Sequence, residues 1–224
     1  MLSKAGWLKV AVFLACLIPL AQLAWKGFDG RLGANPIEVV THSTGIWTLI
    51  FLLITLSITP LRKMFGQPWL INFRRMIGLF AFFYGSLHLL TYVWLDKFFD
   101  WTDITKDVYK RPFITAGFTA FVLMVPLAAT STKRWIQRLG GRRWNLLHKL
   151  VYVSALAGVV HFYWLVKKDI TEPLIYGSVL AALLSYRVGV WAWKKSESGK
   201  RVPRSAGEDT AANGSSVQVT ADAD

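Results

Sequence analysis

The chain contains four histidines, His42, His88, His148 and His161, and three of them fall in long apolar stretches. His88 lies in the uncharged run Met76–Leu95, and His148 and His161 share the stretch Arg142–Trp164. An ionisable side chain in a membrane-length apolar helix is costly and marks a partner or a task. A neutral imidazole can ligate iron, and two imidazoles from neighbouring helices can hold a haem between them.

Their depths can be compared. His88 lies eight residues before Asp96, about 12 Å along a helix, and His161 lies six residues before Lys167, about 9 Å. If both helices run toward the same face, the two imidazoles meet at similar depth. His148, five residues after Arg143, lies toward the other face, about 20 Å from His161 along the axis. That spacing suits one redox centre near each face of a hydrocarbon core roughly 30 Å thick. No second histidine matches His148. Arg74, fourteen residues before His88, falls on nearly the same helix face, and Arg75 lies well round from it. A guanidinium suits the carboxylates of a haem, so Arg74, and after it Arg75, are the candidates for balancing propionate charge at the inner site. Thirteen residues rotate His148 and His161 about 140° apart on an ideal helix. Either the helix unwinds, with Gly158 one place for it, or the two address different neighbours.

These residues need elements to position them. Of 224 residues 54% are hydrophobic, grouped in blocks of membrane-helix length, and many of the eleven tryptophans stand near block ends as an interfacial belt. The blocks predict six transmembrane helices, about Val10–Trp25, Val40–Leu61, Arg75–Leu95, Phe113–Thr132, Arg142–Trp164 and Pro173–Trp193, the fourth kinked at Pro126. The first block, behind Lys4 and Lys9, also has the form of a cleaved signal peptide; its length and its Trp25-Lys26 end favour an uncleaved helix.

Charge sets the orientation. The segments 62–75 and 133–145 carry four and five basic residues and no acid, and Lys194, Lys195, Lys200, Arg201 and Arg204 follow the last block. The other loops are balanced; 96–111 holds Asp96, Asp100, Asp103 and Asp107 against four bases and reads as solvated surface. The positive-inside rule then predicts an all-α six-helix bundle with both termini cytoplasmic. The net charge of +13 is thereby spent on topology and anionic membrane lipid, and nucleic acid is excluded as the expected partner. A single cysteine, Cys16, excludes an internal disulfide, and no C-x-x-C-H is present for covalent haem. Residues 1–195 read as the membrane domain and 196–224 as a disordered, polar cytoplasmic tail, too short for a flavin or nicotinamide domain.

The bland readings differ by residue. An intramembrane histidine can serve as a helix-to-helix hydrogen-bonding group. His42, before Ser43-Thr44-Gly45, reads as an interfacial residue, and Tyr84, Tyr92, Tyr152 and Tyr163 as packing residues. Arg142-Arg143, Arg74-Arg75 and Lys133-Arg134 are topology signals first, and a basic rim for propionates or a flavin phosphate second.

TGIW at 44–47, ITPLR at 58–62, RRMIGL at 74–79 leading to YGSLH at 84–88, RPFITAGF at 111–118, and RLGGRRWNLLHKLVY at 138–152 leading to His161 stand in a distinctive order. In these segments the chain resembles the haem-binding membrane subunit of the bacterial periplasmic protein-methionine-sulfoxide reductase system, within the wider ferric-reductase-like transmembrane group. The resemblance covers about residues 5–195. It implies b-type haem, one or two per chain, on the histidines matching His88, His148 and His161. It implies FMN, with no binding residues to name. It also implies electron flow across the bacterial inner membrane from quinone to a periplasmic, molybdenum-containing reductase that repairs oxidised methionine. The rival expectations are a self-sufficient ferric or quinone reductase and a non-redox transport or structural bundle.

Overall fold

A computed structural model describes residues 4–166 and 168–200, and among them every regular element is helical. The order is α1 (Lys4–Phe28), α2 (Pro36–Met64), a short 3₁₀ turn (Pro68–Leu70), α3 (Ile71–Leu90) running on through a π-helical turn (Thr91–Asp96), α4 (Trp101–Lys110), α5 (Pro112–Ala129), α6 (Lys133–Leu147), α7 (Leu150–Leu165) and α8 (Thr171–Lys200). Gly6–Phe28, Pro36–Met64, Pro68–Asp96, Pro112–Ala129 and Thr171–Glu197 are each long and apolar enough to cross a membrane, and α6 with α7 makes a sixth span bent by 41°. The expected multi-pass helical bundle is the fold found.

Local chemistry sets the helix starts. Asn35 caps α2 by accepting from the Glu38 N–H, with Pro36 in the first turn. Asp100 caps α4 by accepting from the N–H groups of Thr102 and Asp103. Arg111 is extended, as a residue before proline must be, and α5 opens at Pro112. Gly66, at φ +63°, takes the left-handed turn after α2 that a side chain would resist.

The core lies where α2 packs along α3 and α5 along α7. Small residues let these helices approach, as membrane helices require. Ala81, Ser154 and Ala155 are fully buried, and the Ser154 hydroxyl donates across to Ala120 O at 2.8 Å. Tyr84 pins α1: its hydroxyl donates to Cys16 O (2.9 Å) and accepts from Leu20 N (3.1 Å). These are backbone groups that an α-helix would join directly, so Tyr84 is a packing residue inserted in a helical ladder.

Three expectations change in detail. The stretch 142–164 is not one helix: α6 ends at Leu147, α7 starts at Leu150, and His148 and Lys149 form the bend. The unwinding is there and not at Gly158. Residues 133–145 are not loop but helix, interrupted at Gly140 (φ 71°). The loop 96–111 is not simply solvated. It contains α4, and Asp107 on that helix is buried. Lys97 Nζ stands 2.5 Å from Asp103 Oδ2 and 2.7 Å from Asp107 Oδ2; Arg111 Nε stands 3.1 Å from Asp107 Oδ1, and the Tyr92 hydroxyl donates to Asp107 at 3.2 Å. Hydrogen bonds from Lys97 hold the Asp107 carboxyl below its usual range. The bonds to Asp103 and then Asp107 push the Lys97 amine up.

Among the described residues, those through Ser185 make one compact unit and 186–200 make another. In the second, Lys195 Nζ lies 5.4 Å from the Trp191 ring centre. The expected tail begins at Ser196; its residues to Lys200 continue α8, and 201–224 lie outside the described residues.

Candidate functional site

His88 belongs to α3 and His161 to α7, and the fold brings their rings opposite one another. Their ring centroids are 6.0 Å apart, at an interplanar angle of 73°. A metal held by one nitrogen of each ring at about 2 Å, with each ring centre roughly 1 Å behind its nitrogen, sets the centres about 6 Å apart. The observed separation is compatible with a metal shared between the two rings.

The second nitrogen of each ring is engaged. His88 Nδ1 donates to Thr41 O on α2 at 2.8 Å, and His161 Nδ1 donates to Phe113 O on α5 at 2.6 Å. A carbonyl only accepts, so the proton sits on Nδ1 and each Nε2 keeps its lone pair. That is the tautomer a metal ligand needs, oriented by its outer partner.

The two clamps share one geometry. Thr41 stands four residues before Gly45, and Phe113 four before Gly117. A Cβ on Gly45 would lie 3.0 Å from His88 Nδ1 and Cε1, and one on Gly117 2.8 Å from His161 Nδ1. Each imidazole therefore lies flat against a glycine and donates to the carbonyl one turn earlier. A side chain at either glycine would push the ring off its helix. Below His88, the Thr91 hydroxyl donates to His88 O (2.8 Å), and the Thr41 hydroxyl donates to that of Thr91 (3.0 Å), tying α2 to the start of the π-helical turn.

His148 is held differently. It sits at the α6–α7 bend, its ring stacked on the Trp144 indole (centroids 3.8 Å, 26°), and Nδ1 donates to Trp144 O at 3.1 Å. Trp144 Nε1 in turn donates to Thr130 O at 3.0 Å. His148 Nε2 is buried without a well-formed hydrogen bond, and the Leu127 backbone is the other polar group near the ring. The half-buried Arg74 lies near enough to act electrostatically on His148, whereas Arg75 is exposed. No second imidazole pairs with His148: of the other three, two form the facing pair. His42 is exposed and sets its ring edge against Phe162, centroids 5.8 Å apart.

Gly45, Gly117 and Trp144 were not singled out from the sequence as site residues. Gly45 and Gly117 sit inside the segments TGIW and RPFITAGF, and Trp144 inside RLGGRRWNLLHKLVY. An isolated glycine in an apolar helix was the available signal, and it does not say what approaches it.

Helical spans that present imidazoles to one another across a bundle define a multi-pass membrane protein of the ferric-reductase-like class. The family model described as the ferric reductase like transmembrane component matches residues 44–159. Relatives are similar over most of their length. One from Herminiimonas arsenicoxydans is 53% identical over 84% of this chain and 87% of its own. One from Ralstonia nicotianae is 51% identical over 85% and 88%, and one from Azospira oryzae 54% identical over 81% and 78%. Each is named protein-methionine-sulfoxide reductase heme-binding subunit MsrQ. The chain belongs to this MsrQ family.

Proposed function

We propose that the chain is the membrane electron-transfer subunit of a protein-methionine-sulfoxide reductase system. It takes electrons from quinone in the bacterial inner membrane and passes them to a periplasmic, molybdenum-containing catalytic subunit. The observation that carries this reading is the His88/His161 pair, with ring centres 6.0 Å apart and both Nδ1 protons given to backbone carbonyls. His88 and His161 would hold the iron of a b-type haem. His148, with its buried Nε2, would serve an inner haem, and Arg74, with Arg75 at the rim, would balance propionate charge. Bound there, haem iron supplies reversible one-electron transfer.

The chain's own residues do the rest. Thr41 and Phe113 carbonyls fix the imidazole tautomers, Gly45 and Gly117 admit the rings, and the apolar helices keep water away. The basic rim also has the charge to hold the phosphate of FMN; nothing else among the described residues marks a flavin seat. Loop charge supports a reading with both termini in the cytoplasm and the His88/His161 end on the periplasmic side, where a soluble acceptor can reach it.

The test is an absorption spectrum of the detergent-purified chain, oxidised and dithionite-reduced, with haem extracted and counted per polypeptide. A reduced b-type spectrum with about one haem or more per chain is expected. A colourless protein, even after incubation with hemin, would overturn the proposal.

A further inference from the structure

Beside the histidine pair, between the last turns of α1 and the first turns of α2, lies a cleft of about 410 Å³. Small-molecule sites occupy roughly 300–1,000 Å³. Its lining is graded along the two helices. Lys26 and Glu38 stand at the mouth, two residues from their helix ends; Gln22 and His42 follow about a turn further in; Trp47 closes the floor. The ligand it fits is amphiphilic, with polar groups toward the mouth and an apolar ring below. Imidazole and carboxylate are both acceptors for hydroxyl donors. Glu38 Oε2 already accepts from Asn35 Nδ2 at 2.9 Å, which holds the carboxylate in place.

The cleft adjoins the site along two paths. Thr41, whose carbonyl takes the His88 proton, directly precedes His42. Phe162, against which the His42 ring rests, directly follows His161. A ligand seated on His42 is therefore one residue removed from each member of the pair. The wall formed by α1 is thin, because most of that helix is exposed along its apolar length, so a hydrocarbon tail can leave toward lipid. Lys26 is the one cation in the lining and Glu38 lines it too, so the lining carries no net charge and offers a phosphate headgroup no net attraction.

We propose that this cleft is the seat of a lipid-borne hydroquinone, its ring hydroxyls donating to His42 and Glu38 and its ring packed on Trp47. The choice of ligand rests on the electron-transfer reading above; the location rests on the cleft alone.

The experiment uses the full chain in nanodiscs of phosphatidylethanolamine and phosphatidylglycerol, with a photoreactive azido-benzoquinone bearing a decyl tail. Labelled peptides are mapped by mass spectrometry. Label is expected within residues 19–26 and 38–47, lost on adding excess decylbenzoquinol. His42→Ala should weaken that competition about tenfold, the loss of one good polar contact. Val39→Trp fills the cleft from a position already 39% exposed, so folding should survive, and it should abolish the label. Both variants should keep the haem spectrum of the parent. Label elsewhere, label that decylbenzoquinol does not displace, or displacement by phosphatidylglycerol instead would overturn the seat. A haem-loaded but unlabelled protein sinks the seat and leaves electron transfer standing. A colourless protein labelled at these residues keeps the seat and sinks the electron-transfer reading.

Discussion

His88 and His161 give their protons to carbonyls on other helices, whereas His148 gives its proton to Trp144 on its own. The facing pair depends on four helices at once: α3 and α7 carry the rings, and α2 and α5 carry the carbonyls and glycines. The single histidine depends on local structure, a helix end, a stacked indole and a bend. A site assembled from distant segments should fail when any one of its helices shifts. A ring held mainly within one segment should respond chiefly to changes in that segment, and beyond it to Thr130, whose carbonyl accepts from Trp144.

The largest expected effect tests the pair directly. His88→Ala or His161→Ala should remove most of the haem at that site while membrane insertion stays intact, read as pyridine haemochrome per polypeptide. Full haem in both single variants would break the comparison. Next come the clamps. Gly117→Ala puts a methyl 2.8 Å from His161 Nδ1, and Gly45→Ala one 3.0 Å from His88 Nδ1. Overpacking of this kind costs about 1–3 kcal/mol, so both should lower haem occupancy and shift the low-spin electron paramagnetic resonance signals, Gly117→Ala the more. Unchanged signals in both would show that the rings do not need these glycines.

His148→Ala sharpens the contrast from the other side. Haem content should fall by no more than half, and the signals of the facing pair should persist. Loss of all haem would mean that the two sites are not independent.

The smallest effect concerns α4. Lys97→Met leaves the buried Asp107 with Arg111 and Tyr92 alone and should cost about 2 kcal/mol, between the values for exposed and buried ion pairs. Haem content should not change. The pH dependence follows from the directions of the two shifts. Asp107 is depressed in the folded chain, so its contribution is present above the unfolded carboxylate pKa, near 3.9, and is lost as pH falls through the lower folded value. Lys97 is raised, so its contribution is full below the unfolded amine pKa, near 10.4, and is lost as pH rises through the higher folded value. The network should therefore stabilise α4 evenly from about pH 5 to 9. A thermal-shift difference between parent and Lys97→Met that varied strongly across that window would contradict this.

Parts of the site were legible in the chain and parts were not. The matched depth of His88 and His161 follows from counting residues to the helix ends. The placing of Arg74 rather than Arg75 toward His148 follows from helical periodicity. The 140° mismatch between His148 and His161 announced a break, but hydropathy does not say where, because His148-Lys149 is flanked by leucines and valines. Asp107 looked solvated because it stands among balanced charges; its burial depends on α4 folding back over Lys97.

Apolar runs and loop charge are sums along the chain, so the number of spans, their order and the likeness of depth between two histidines were determined by the sequence alone. Which way a residue points is a property of two helices and not of one. The 41° bend at His148, the flat seating of each imidazole on a glycine, and the choice of Thr41 and Phe113 as proton acceptors arise only when α2 packs on α3 and α5 on α7. Those contacts depend on rotation about each helix axis, which close packing decides and composition leaves open.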